Sequence, residues 1–223
     1  MRPFPDRFSY AAAHSAEEPA ALAWLRRQTH LRCLYPQMLT PPLQGRLLSL
    51  LSRTLRPRLA LELGTFTGYS ALCLAEGLAE GGRLHCIERD PEREPLIREG
   101  LARAGTAEQV ELHFGLADEW IARLPGPWDL IYLDADKASY PRYADFLIPR
   151  LRPGGLLLAD NVLWKDKVLG EAIDKETQGV AAFNEQIARD PRLLSVLLPF
   201  GDGLSIALRL PSEAEGEEEE TAS

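Results

Sequence analysis

The chain has 223 residues, 45% of them apolar and 26% charged, and a formal net charge of −8. This suffices for one α/β domain with a full core, excludes disorder as the default, and lacks the basic stripe of a nucleic-acid binder. Three cysteines, Cys33, Cys73 and Cys86, without a C-x-x-C pair argue against a disulfide framework and a zinc site.

Residues 1–17 read as irregular. A helix is predicted from Pro19 to about Leu34. A second follows Thr40, a suitable N-cap, with Pro41 at its first position and Leu43, Leu47, Leu50, Leu51 and Leu55 as its buried stripe. Arg46, Arg53, Arg56 and Arg58 read as its solvated edge. Then strands and helices alternate: Leu59–Leu63 with Gly68–Ala79, Arg83–Glu88 with Pro91–Ala104, Val110–Phe114 with Leu116–Arg123, Trp128–Leu133 with Tyr140–Arg150, and Gly155–Asp160 with a linker and a helix around Val180–Ala188. Such alternation of apolar strands with helices predicts a parallel sheet covered on both faces. Leu193–Leu198 and Leu204–Leu210, joined by Pro199–Gly203, add an antiparallel edge. Three regions result: N-terminal helices over 1–57 forming a lid or subunit contact, a core over 58–210, and an acidic, disordered tail over 211–223. Cys73 and Cys86 read as small buried hydrophobes, and His85 and His113 as packed core residues. No signal core and no apolar run of membrane length is visible, so a soluble, reduced, cytoplasmic chain is expected.

In open α/β sheets, ligands sit outside the carboxyl ends of the strands. Polar residues gather at those ends here: Glu62 and Gly64, Glu88, Ala117 and Asp118, Asp134 to Lys137, and Asp160 with Asn161. One such carboxylate would be explained as a helix cap; five decorated strand ends are not. The turn Gly64-Thr65-Phe66-Thr67-Gly68 lets a ligand approach the backbone at a helix N-terminus. It is not G-x-G-x-x-G, and Phe66 would crowd a pyrophosphate. A nucleoside without phosphates fits better, with Glu88 on a ribose diol and Glu62 near a cationic group; S-adenosylmethionine is such a ligand. Adjacent parallel strands lie about 4.8 Å apart, so Asp134, Asp160 and Asn161 can converge on one ion. Their oxygens select a hard cation, Mg²⁺, Ca²⁺ or Mn²⁺.

Taken together, ELGTFTGYS, DADK, LRPGG, DNVLW and GDGL resemble the cation-dependent O-methyltransferases, the group containing catechol and caffeoyl-CoA O-methyltransferases. The resemblance runs from about Met38 to Leu210. It implies a Rossmann-like, seven-stranded, mostly parallel sheet with an antiparallel last strand. It also implies S-adenosylmethionine contacts at Thr40, Glu62, Gly64, Thr65, Ser70, Glu88, Ala117 and Asp136, metal ligands at Asp134, Asp160 and Asn161, and a homodimer. The family usually places Asp where Glu88 stands. The insertions by which plant members bind substrate are not recognisable. The expected reaction is methylation of a catechol-like small molecule, with Lys137 taking the hydroxyl proton, stabilising the phenolate, or simply pairing with Asp134 or Asp136. Trp164, Lys165 and Asp202 stand near the mouth, and Tyr35 and Met38 could close over it. The competing readings are a tRNA hydroxy-nucleoside methyltransferase, a non-catalytic S-adenosylmethionine-binding module and a nicotinamide-dependent oxidoreductase.

Overall fold

The structure is a computed structural model and describes residues 5–171 and 174–211. Seven strands form one sheet: β1 Leu59–Leu63, β2 Arg83–Glu88, β3 Val110–Phe114, β4 Trp128–Leu133, β5 Leu151–Asp160, β6 Leu193–Leu198 and β7 Leu204–Arg209. Their spatial order is β3-β2-β1-β4-β5-β7-β6. The β3-to-β5 run is parallel, while β7 inserts antiparallel between β5 and β6. The chain reverses direction of winding at β1 and β4, and that switch leaves a crevice at their carboxyl ends.

Alternation along each strand sends side chains to two apolar layers. On one face Leu61, Leu63, Ile131 and Leu133 meet α6 (Ala117–Arg123), α7 (Tyr140–Leu147) and α8 (Lys175–Arg189). On the other, Ala60, Leu130, Tyr132 and Leu158 meet α2 (Ala20–Arg32), α3 (Pro42–Leu55), α4 (Tyr69–Ala75) and α5 (Glu94–Ala104). Leu22, Leu25 and Leu48 belong to this second layer, so the N-terminal helices are part of its packing. Cys73 and Cys86 are buried in it, as expected.

Several expectations need correction. Residues 1–17 are not wholly irregular: α1 spans Arg7–Ala13, and the Asp6 side chain caps it by accepting from the Ser9 amide at 2.8 Å. The N-cap of α3 is Pro41, not Thr40, and no side chain caps it. Its buried stripe is Gln44, Gly45, Leu48, Ser49 and Ser52, while Leu50 is 61% exposed. Arg46 is no solvated edge: it pairs with Glu76 at 2.8 Å, and Ser49 donates to the same carboxylate. The first crossover helix stops at Ala75 and α8 begins earlier than expected, at Lys175, where the Asp174 side chain caps it by accepting from the Thr177 amide. Pro91–Arg93 and Ile148–Arg150 are 3-10 turns beside α5 and α7. Apart from Pro211, the expected acidic tail lies outside the described residues. No described helix is long and apolar enough to cross a membrane.

Candidate active site

A crevice of about 1740 Å³ opens over the carboxyl ends of β1, β2, β4 and β5. Thr40, Gly64, Glu88, Ala117, Asp134, Asp136, Lys137, Asp160 and Asn161 all line it. Thr65 and Ser70 border its inner end beside Gly64 and Asp134. Of the predicted residues, Glu62 alone lines neither the crevice nor this inner end; it is fully buried.

The turn after β1 is held from both sides. The Gly64 amide donates to the Ile87 carbonyl at 3.0 Å, and the Asp134 amide donates to the Leu63 carbonyl at 2.8 Å. Phe66 takes a left-handed backbone, φ +50°, and its amide donates to Glu88 Oε2 at 2.6 Å. The other Glu88 oxygen accepts from the Asp90 amide at 2.8 Å. Glu88 is thus fixed by backbone at the end of β2, and burial raises its pKa. The helix-capping role falls to Asp90, which accepts from the Glu92 amide, as the sequence suggests. Arg93 lies over the Phe66 ring, 5.2 Å from its centroid.

Both Glu62 carboxylate oxygens are buried without a hydrogen-bond partner. Burial pushes this carboxyl up to about 7; nearby Ser70, Thr65 and Cys86 oppose the rise and the Asp134 charge adds to it. An orphaned acceptor beneath a glycine turn suits a ligand that brings an ammonium. It also makes a prediction for the ligand-free protein. The folded chain keeps this proton up to about pH 7, while an unfolded chain releases it near the ordinary 4.5. Stability from this group is therefore full below the lower value and is lost as pH rises through the upper one, a change of about 3 kcal/mol. Glu62→Gln should flatten the fall in melting temperature between about pH 5 and about pH 8. Parallel melting curves for the two proteins would refute the protonated Glu62.

The second half of the crevice gathers at β4 and β5. Asp160 is buried; its Oδ1 accepts from the Asn161 amide at 2.7 Å. Its Oδ2 accepts from the Tyr132 hydroxyl at 2.8 Å and from Gln44 Nε2 at 2.6 Å. Burial and the Asp134 charge raise its pKa to about 6. Asn161 adopts φ +58°, which turns the chain out of β5. Lys137 begins a 3-10 turn and is 5% exposed. Its ammonium donates to Asp134 Oδ1 and to the Tyr140 hydroxyl, each at 2.6 Å. The Tyr140 hydroxyl also bonds the carbonyls of Asp160 at 3.0 Å and Leu133 at 3.1 Å. Two carboxylates at neighbouring strand ends, one raised by the other, are a set of hard oxygen donors that a divalent cation would neutralise. The Asp134-Asp160-Asn161 set therefore fits such an ion.

Sequence reasoning missed Gln44, Tyr132 and Tyr140, which hold this half together. Asp136 bonds Ser139 rather than Lys137. Asp202 accepts from the Lys165 amide and so ties the turn before β7 to the loop after β5. Trp164 is half-buried, packs against the α8-side layer and leaves its Nε1 buried without a partner. Tyr35 and Met38 line the crevice yet are 60% and 59% exposed.

A doubly wound sheet with a glycine turn after β1 and acidic residues at the neighbouring strand ends is the Rossmann-like architecture. Residues 12–210 match the O-methyltransferase family. The chain belongs to that family and is an S-adenosylmethionine-dependent O-methyltransferase, as its motifs imply. It is 36% identical over 209 residues to Catechol O-methyltransferase domain-containing protein 1 of Mus musculus, spanning 91% of this chain and 79% of that one. To the catechol O-methyltransferase of Niastella koreensis it is 33% identical, over 78% of this chain and 83% of the other. The O-methyltransferase from Bacillus cereus, solved in complex with SAH, superimposes with a TM-score of 0.83 at 30% identity, covering 90% of this chain and 95% of that one.

Proposed function

We propose that the enzyme methylates one hydroxyl of a catechol-like vicinal dihydroxy aromatic small molecule and that it depends on a divalent cation, Mg²⁺ in the first instance. The observation that carries this reading is the Asp134–Asp160 carboxylate pair, with Lys137 bonded to Asp134, in the same crevice as the turn after β1. A methyltransferase that only bound its donor would have no use for that cluster. The names of the relatives, a catechol O-methyltransferase among them, point the same way.

In this reading Gly64, Thr65, Ser70, Ala117 and Asp136 surround the donor, with Thr40 at its edge. Glu62 meets its amino group and Glu88 its ribose. The donor supplies a methyl group on a sulfonium, so alignment is the protein's main task. Asp134, Asp160 and Asn161 would hold the cation, which when bound acidifies a hydroxyl and orients a diol. Tyr132 and Gln44 fix Asp160, and Tyr140 fixes Lys137. As a neutral amine Lys137 Nζ takes the hydroxyl proton and becomes the ammonium; as an ammonium from the outset it holds the oxygen anion left behind. Trp164, with Tyr35 and Met38, offers apolar surface for an aromatic ring.

The test is donor turnover on a panel of vicinal diphenols and their mono-hydroxy analogues, with and without Mg²⁺. Activity confined to the diols and abolished by EDTA is expected. In Asp160→Ala the response to added Mg²⁺ should disappear. Equal rates on mono-hydroxy analogues, or an unaltered EDTA response in that variant, would remove the diol and cation from the reading. Methylation of co-purified RNA in place of the diphenols would favour the nucleoside acceptor.

A further inference from the structure

A second cluster of ligating side chains stands apart from the crevice, on the α6-to-α8 face at the sheet's open edge. His85 on β2 and Glu111 on β3 are register partners, and His113 follows two residues on, so all three point to one face. Their ligand atoms lie within 4.8 Å of one another, the one such trio of His, Cys, Asp or Glu among the described residues. His85 Nδ1 is 2.9 Å from His113 Nε2 and 3.5 Å from Glu111 Oε2. We infer that His85, Glu111 and His113 form a binding site for a borderline transition-metal ion of the Zn²⁺ class, bridging the edge strand β3 to β2.

The donor set of two imidazoles and one carboxylate selects such an ion over Mg²⁺ or Ca²⁺. Bonds of about 2.0–2.1 Å in a tetrahedron place ligand atoms about 3.3 Å apart, close to the 2.9 Å and 3.5 Å that separate His85 Nδ1 from His113 Nε2 and Glu111 Oε2. Aromatic walls hold them in place. Trp128 meets the His85 ring edge-on at 5.6 Å, and Trp120 lies against His113 at 4.5 Å. Trp120 is itself pinned, its Nε1 donating to the Phe114 carbonyl at 3.0 Å. Burial lowers the pKa of both imidazoles, with Glu111 opposing and, for His85, Arg83 assisting, which favours the neutral form that binds metal. The His85 side chain is 10% exposed, whereas that of Glu111 is 49% exposed and gives the ion a way in. The sequence argues against a zinc site on its cysteines and reads His85 and His113 as packed core; this site uses no thiolate and both of those histidines.

The test is a calorimetric Zn²⁺ titration of the full chain in excess Mg²⁺, followed by imidazole NMR. One tightly bound equivalent is expected, with the His85 and His113 ring signals shifting and those of His14 and His30 staying. Affinity should fall at least about tenfold in Glu111→Gln, whose exposed position spares the fold, and disappear in His113→Ala. Zn²⁺ should also raise the melting temperature of the parent protein more than that of Glu111→Gln. Unchanged affinity in Glu111→Gln, or ring signals that ignore Zn²⁺, would overturn the site and leave a neutral histidine pair packed on two tryptophans.

Discussion

Lys137→Met should lower kcat on a diphenol by about 10²–10⁴-fold, the usual contribution of a positioned acid-base group. The affinity for S-adenosylmethionine should change by less than about threefold, since the Lys137 side chain bonds Asp134 and Tyr140 and not the turn after β1. The side chain is 5% exposed and bonds Asp134 on one side and Tyr140 on the other. Its ammonium also lies 4.7 Å from the Tyr140 ring centroid. A lysine held this rigidly loses little entropy in reaching a reacting oxygen, so its removal acts on turnover. Removing a buried positive charge beside the Asp134 carboxylate should also tighten Mg²⁺, lowering its half-saturating concentration. Lys137→Arg separates the two roles. Arginine keeps the charge beside Asp134 but does not give up its proton. Near-parental turnover in that variant assigns Lys137 to electrostatic stabilisation; turnover as low as in Lys137→Met assigns it to proton transfer. Parental kcat in Lys137→Met would remove the residue from the chemistry.

The sheet was legible because strands carry their signal locally. The strands are short, largely apolar runs, and the seven read from the sequence correspond to β1–β7, with β5 beginning earlier, at Leu151 rather than Gly155. The crevice lining was legible for the same reason: Glu88, Asp134, Asp160 and Asn161 end those runs. The supporting shell was not. Gln44 looks like a polar interruption in a leucine-rich helix, and its partner Asp160 is 116 residues away. Ser52 donates to the Leu74 carbonyl across 22 residues, so the helix buries its small polar face and leaves Leu50 outside. Leucine periodicity found only the margin of the buried face, since Leu47, Leu51 and Leu55 pack partly buried against the core; nothing local says that a neighbouring helix offers hydrogen-bond partners. Tyr132 and Tyr140 likewise look like ordinary apolar positions until their hydroxyls find Asp160 and Lys137. Glu62 shows the opposite limit. The strand pattern locates it near the end of β1, but only the fold shows it sealed behind the turn, with both oxygens unpaired.

Gly64→Ala should damage both halves of the crevice at once. A Cβ at this position would stand 2.6 Å from the Asp134 carbonyl carbon, closer still to its oxygen, and 3.2 Å from the Ala135 nitrogen. Those are backbone atoms, which cannot rotate away. The residue also has φ +89°, a conformation that disfavours any side chain. The strain and the overpacking together should cost about 3 kcal/mol. Relief requires the end of β4 to retreat from β1, which breaks the Asp134 amide bond to Leu63 and moves Asp134 away from Asp160. The contrast is Gly81, at φ +72° with no atom within 4 Å of an added Cβ. Gly81→Ala isolates the backbone strain, and a loss of about 1 kcal/mol is expected there. Denaturant midpoints of the two variants therefore separate strain from steric contact. The Gly64 variant, where it remains folded, should lose donor affinity and the response to Mg²⁺ together. Comparable midpoints for the two, or Mg²⁺ activation intact in Gly64→Ala, would show that the gap between β1 and β4 does not set the position of Asp134.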